Sequence, residues 1–237
     1  MYVDWTKISN NPVSQEVHNF LLQELKRKKK GRIFNSRVFL RSFVEGQTVL
    51  DIGCVEHDIT HMESKTWRHK YIQEFAKYVL GIDILSKEVA ILQEKGFNIK
   101  ETDATSDVNL GEKFNRVVIG DVIEHVDNPV ALLRFAVRHL NDDGLILVTT
   151  PNPYFLRLIW RNFKEGTVIA NAEHISWLTP SLALEIARRA NIELKEYWLL
   201  QSHGNSLIKK SLHKVRDIFM ADSELFTPAF CYIYCSA

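Results

Sequence analysis

The sequence predicts an α/β fold: a doubly wound, seven-stranded, mostly parallel sheet with helices on both faces and an N-terminal helical extension. Three observations predict it. Strand-like and helix-like segments alternate from Gln47 onward. The apolar run Val49-Leu50-Asp51-Ile52-Gly53-Cys54 closes on an acid and a glycine, and Gly81-Ile82-Asp83-Ile84 repeats the apolar-to-acid ending about thirty residues later. An apolar run turning at a glycine reads as a buried parallel strand entering a loop. A second strand ending in an acid reads as the ribose side of a nucleotide site, the Rossmann-like arrangement.

The strands expected are 48–52, 78–83, 98–102, 116–120, 145–150, 193–199 and 230–235, with helices over 67–76, 87–95, 129–140 and 180–190. The third helix is the best signalled, because Asn128 can cap it, Pro129 suits its first turn and Asp142-Asp143-Gly144 should end it. Residues 1–45 form the extension, where Val17, Phe20, Leu21, Leu22 and Leu25 recur at helical spacing, and 46–237 form the main domain. Segments 152–172 and 203–224 stand outside the alternation as lid or substrate-side insertions, the second with a helix expected around 211–219.

Composition narrows the class. The 237 residues, 46% of them hydrophobic, can bury a sizeable core, and 30 basic against 29 acidic residues leave a formal charge of +1, so no global field steers the chain to nucleic acid. No early apolar run approaches the roughly 20 residues of a membrane span, and Met1-Tyr2-Val3-Asp4-Trp5 lacks the order of a signal peptide, which makes the cytoplasm the expected address. Cys54, Cys231 and Cys235 are too few and scattered for a disulfide framework or a zinc site and read as reduced thiols. Oligomeric state is open.

Only the first glycine of a phosphate-cradling turn is present, since Val55 and His57 stand where the others would be. The pocket therefore suits a nucleoside without phosphates. Here the chain resembles the class I S-adenosylmethionine-dependent methyltransferases, whose first motif has the form (V/L)LD(I/V)GCGxG. The match runs to Cys54 and departs at Val55. The block from Val117 through Gly120-Asp121-Val122-Ile123-Glu124-His125-Val126 to Pro129 resembles the fourth-strand motif of the ubiquinone-biosynthesis type O-methyltransferases and their small-molecule and sugar-modifying relatives. Ala172-Glu173-His174-Ile175-Ser176-Trp177-Leu178-Thr179-Pro180 resembles the H-(I/V)-x-x-(F/L)-(S/T)-P element of the same relatives, which closes over the substrate side.

The resemblance implies S-adenosylmethionine as cofactor and a small-molecule acceptor, an oxygen of a saccharide or related metabolite. It implies that Asp83 accepts both ribose hydroxyls, Ile84 lies against the adenine, Asp103 with Ala104 meets the adenine amino group, and Gly120 and Asp121 border the methionine moiety. Gly53 and Cys54 belong to the cofactor-binding turn, and Gly53 lets cofactor atoms pass close to its backbone. Asp51 either orients the glycine turn through backbone N–H groups or touches the cofactor amino group. His125 and His174 compete as the base that removes the acceptor's proton, since an imidazole titrates near neutrality. Glu124 is an orienting carboxylate, or half of a Glu-His pair able to hold a divalent ion; no metal site is assigned. Each acid has a plain alternative as a cap or turn residue, and each histidine as a packing group.

Tyr154, Phe155, Trp160 and Trp177 suit a substrate pocket or ordinary core. The run Lys26-Arg27-Lys28-Lys29-Lys30-Gly31-Arg32 reads as a solvated helix end, with a phosphorylated carrier, an anionic membrane or RNA as its rival partners. Two other functions are kept beside the enzyme: a non-catalytic cofactor-binding scaffold, which the missing glycines keep open, and an RNA methyltransferase, which the near-zero charge disfavours.

Overall fold

The computed structural model describes residues 4–64, 66–201 and 223–237, so the helix expected around 211–219 lies outside the described residues. Its elements in order are α1 (Gln15–Lys28), β1 (Lys29–Ile33), α2 (Ser36–Val44), β2 (Thr48–Ile52), α3 (Arg68–Phe75), β3 (Tyr78–Asp83), α4 (Ser86–Glu94) and β4 (Ile99–Glu101). There follow β5 (Phe114–Gly120), α5 (Pro129–Arg138), β6 (Leu140–Pro151), α6 (Leu156–Glu165), α7 (Pro180–Ala190), β7 (Ile192–Leu200) and β8 (Ala229–Ser236).

They build one eight-stranded sheet in the order β1-β7-β8-β6-β5-β2-β3-β4, parallel throughout except for β8. Seven strands were expected. The eighth is β1, cut from the basic run itself: α1 ends at Lys28, and Lys29–Ile33 pairs parallel with β7 at the sheet edge. A basic strand suits an edge, where its outward side chains stay in water. Lys28 is buried and donates to the Leu194 carbonyl while pairing with Glu193 at 3.2 Å, so the helix end is anchored rather than wholly solvated. A second difference is at Asp142-Asp143-Gly144, which lies inside β6 where the pairing jumps from Phe114↔Leu140 to Arg116↔Leu145.

Alternate residues of each central strand bury opposite faces. Leu50, Ile52, Leu80, Ile82, Val117 and Ile119 meet α5 and α7, whereas Val49, Val79, Val118 and Leu147 meet α2 and α3. Local chemistry sets the helix ends that matter for the site. The Asn128 side chain accepts from Ala131 N at 3.0 Å with Pro129 in the first turn of α5, and Thr179 and Pro180 open α7 in the same way. Neighbouring β2 is β5 on one side and β3 on the other, so the chain leaves β2 in one direction and returns on the other. The crevice above that reversal is the natural ligand position of such a sheet.

Candidate active site

A cavity of about 840 Å³ opens at this crevice, within the range of small-molecule sites. Among its walls are Gly53 after β2, Asp83 and Ile84 after β3, Asp103 and Ala104 after β4, and Gly120, Asp121 and His125 after β5. Four carboxyl strand ends thus converge on one space. Asp51, Cys54, Glu124 and His174 do not line it; they stand behind the wall.

Asp83 is fixed before any ligand arrives. Its Oδ2 accepts from Val55 N at 2.9 Å and its Oδ1 from Leu85 N at 3.2 Å, leaving each oxygen a lone pair for a hydroxyl. Asp103 turns its own loop, with Oδ1 accepting from Thr105 N at 2.7 Å, so the turn role and a place at the cavity coincide. Gly53 has φ +71, and a Cβ there would stand 2.3 Å from Val122 Cγ2. The tight turn is required by its own protein neighbours as well as by a passing ligand. Beyond it, Glu56 (φ 57) and His57 (φ 74) hold the left-handed conformation that glycine would take freely, so the loop keeps the turn's shape at a cost in strain.

Asp51 is held by side chains and not by the backbone N–H groups of the glycine turn. It is fully buried; Arg68 Nε donates to its Oδ1 at 3.0 Å, and His69 Nδ1 lies 3.0 Å from its Oδ2. Burial alone would raise the carboxyl pKa, but the Arg68 guanidinium and His69 together hold it below the ordinary value. Arg68 also donates to the carbonyls of Gly53 (2.7 Å) and Gly120 (2.9 Å), tying the ends of β2 and β5 beneath the cavity. Arg68 was not among the site residues expected from sequence, and its neighbours are structural: Trp67 donates to the Cys54 carbonyl at 2.7 Å, and both Trp67 and His69 are buried. A signal was present, because an acid inside a buried strand requires a cation.

The two histidines meet across two segments. Glu124 O accepts from Ile175 N (3.0 Å) and Ser176 N (3.2 Å), pinning the 172–180 segment onto the turn after β5 and bringing the rings of His125 and His174 edge-on at 4.8 Å. Burial, then the neighbouring His125, lowers the His174 pKa, so its ring favours the neutral form. The Glu124 carboxyl is buried without a hydrogen-bond partner among the described residues, and burial pushes its pKa up to about 7. Glu124, His125 and His174 offer ligand atoms within 4.8 Å of one another, a spacing that a divalent ion could bridge. At the mouth Glu173 stands 3.3 Å from His57 and 3.9 Å from His125. Of the four aromatic candidates, Trp177 packs on His174 at 5.5 Å, whereas Tyr154 and Trp160 are exposed outside this cavity.

By fold and cavity this is a Rossmann-like α/β protein with a ligand-sized space at the switch point of its sheet. A methyltransferase-domain family model matches residues 13–197, and the chain belongs to that family. The mitochondrial ubiquinone biosynthesis O-methyltransferase of Dictyostelium discoideum is 25% identical over 168 residues, covering 63% of this chain and 48% of that protein. The ubiquinone biosynthesis O-methyltransferase of Rickettsia canadensis is 30% identical over 128 residues, covering 50% and 54%. The chain spans about half the length of these curated relatives. A SAM-dependent methyltransferase from Archaeoglobus fulgidus superposes with a TM-score of 0.52 at 18% identity, over 84% of this chain and 94% of that one. The CcbJ methyltransferase from Streptomyces caelestis gives 0.56 at 12% identity, over 85% and 88%. The chain therefore has the fold of the S-adenosylmethionine-dependent methyltransferases. Among the described residues no helix is long and apolar enough to cross a membrane.

Proposed function

We propose that this protein moves a methyl group from S-adenosylmethionine to an oxygen of a small molecule, with a saccharide or related metabolite as the acceptor class. The observation that carries this reading is the opposition, in one cavity, of a fixed ribose-type carboxylate (Asp83) and an imidazole (His125) backed edge-on by a second. The oxygen assignment draws support from the curated relatives, both named as O-methyltransferases. We place the work in the cytoplasm, an address suited to the three free cysteines.

Bound here, the cofactor would supply an electrophilic methyl carbon on a sulfonium. Asp83 holds the ribose hydroxyls, and Gly53, Gly120 and Asp121 shape the methionine end. His125 takes the acceptor hydroxyl's proton on a ring nitrogen as its oxygen attacks. His174, held neutral, orients that ring. Glu124 acts behind them as a positioning residue through its main-chain bonds to the 172–180 segment.

Calorimetric titration with S-adenosylmethionine and its demethylated product is the first measurement. Asp83→Ala removes two charge-assisted hydrogen bonds, so affinity should fall more than tenfold; equal affinities would sink the cofactor assignment. Turnover with labelled cofactor on a panel of phenolic and glycosyl hydroxyls follows. His125→Ala should lower turnover about 10²–10⁴-fold with cofactor affinity nearly unchanged. Cofactor binding with no transfer to any oxygen acceptor would leave a binding protein instead of an enzyme.

A further inference from the structure

Helix α6 is mounted the wrong way round for a globular protein. At about 100° per residue, Leu156, Ile159, Trp160 and Phe163 share one arc about 100° wide. All four are exposed, Trp160 by 57% and Phe163 by 75%, and α6 has no buried residue. The half-buried positions, Leu158 and Asn162, lie on the far side of the helix. On the flanking segments Tyr154, Val168, Ile169 and Ile175 are exposed as well. An exposed apolar arc of this kind marks a contact surface.

Charge selects the partner. Arg157, Arg161 and Lys164 fall together in the arc beside the apolar one, against a single acid, Glu165, so the helix carries three positive charges less one negative, +2. Lys164 extends over the Trp160 ring at 5.4 Å, and Trp160 stacks on Phe163 at 5.7 Å. Cations that border an apolar arc without interrupting it reach headgroup level while the rings enter the acyl boundary. A second copy of the chain would bring a further set of the same cations to the contact, whereas anionic headgroups neutralise them.

We propose that α6 with its flanking loop is a membrane-surface docking element for anionic phospholipid bilayers, which lies in the interface plane with its apolar arc toward the acyl boundary. The mode is peripheral, driven by buried apolar area plus attraction to anionic lipid.

The test is flotation of the full chain with vesicles of phosphatidylcholine alone and of phosphatidylcholine mixed with phosphatidylglycerol. Binding is expected to the mixed vesicles and to weaken with salt. Trp160→Glu with Phe163→Glu should abolish it, and Arg157→Gln with Arg161→Gln and Lys164→Gln should weaken it by about tenfold or more. Unchanged far-UV circular dichroism controls for folding in both variants. Absence of binding by the wild-type chain to either vesicle overturns the proposal, as does undiminished binding by the Trp160/Phe163 variant. A wild-type dimer that the same variant converts to monomer, by light scattering, assigns the face to a second copy instead and also overturns it.

Discussion

Gly53 shows how one residue can answer two demands. Its φ of +71 is open to glycine at no steric cost, and any Cβ would press against Val122 Cγ2 at 2.3 Å. Val122 belongs to the turn that presents His125, so the strain passes directly from the turn after β2 to the turn after β5. Gly53→Ala should therefore lower stability by about 1–3 kcal/mol and weaken S-adenosylmethionine binding. Urea unfolding beside calorimetry checks this; a variant that binds S-adenosylmethionine as tightly as wild type would mean the turn has slack. His57, in the same left-handed region four residues later, shows the opposite solution: the backbone takes the glycine shape without glycine. That departure was visible in the sequence, but its consequence was not, because a missing glycine does not say whether the turn changes or the strain is accepted.

At the scale of elements, the legible parts are those whose burial is decided locally. β2 and β3 occur where expected because nearly every residue in them is buried, and such strands read as apolar runs. β1 was illegible for the converse reason: in Lys29–Ile33 only Ile33 is buried, and its strand character comes from pairing with β7, more than 160 residues away in the chain. The cavity residues at strand ends were legible from motif position. For Arg68 the sequence shows only that buried Asp51 needs a cation; which one supplies it depends on Asp51, Gly53 and Gly120 meeting from two strands. Arg68→Gln should leave the buried Asp51 carboxylate without its main cation, costing about 3–5 kcal/mol as for other broken buried pairs, and should loosen the β2–β5 end enough to weaken cofactor binding. Denaturant midpoints would show it; a loss below about 1 kcal/mol would place the pair among exposed ones.

For the whole molecule, the buried and half-buried acids and histidines make stability depend on pH in opposing directions. Asp51 and Glu185, the latter held at about 2 first by hydrogen bonding from Arg188, contribute stability that is present above the ordinary carboxylate range and lost as pH falls through their folded values. His139 and His174, both lowered chiefly by burial, bind fewer protons folded than unfolded, so they too cost stability as pH drops below about 6.5. Glu124 runs the other way. Unfolded it titrates at 4.5 and folded at about 7, so between those values the native state binds the extra proton and stability falls as pH rises. Above 7 the penalty is complete, on the order of 3 kcal/mol. Because the histidines act over the same window with opposite sign, the total curve conceals the Glu124 component, but a difference isolates it. Urea unfolding of wild type and Glu124→Gln, at pH 5 and pH 8 with a chelator present, should show the variant gaining about 2–3 kcal/mol on wild type between the two pH values, whatever their offset at pH 5. A constant offset would mean that Glu124 ionises at its ordinary value, and that water reaches the carboxyl behind His125.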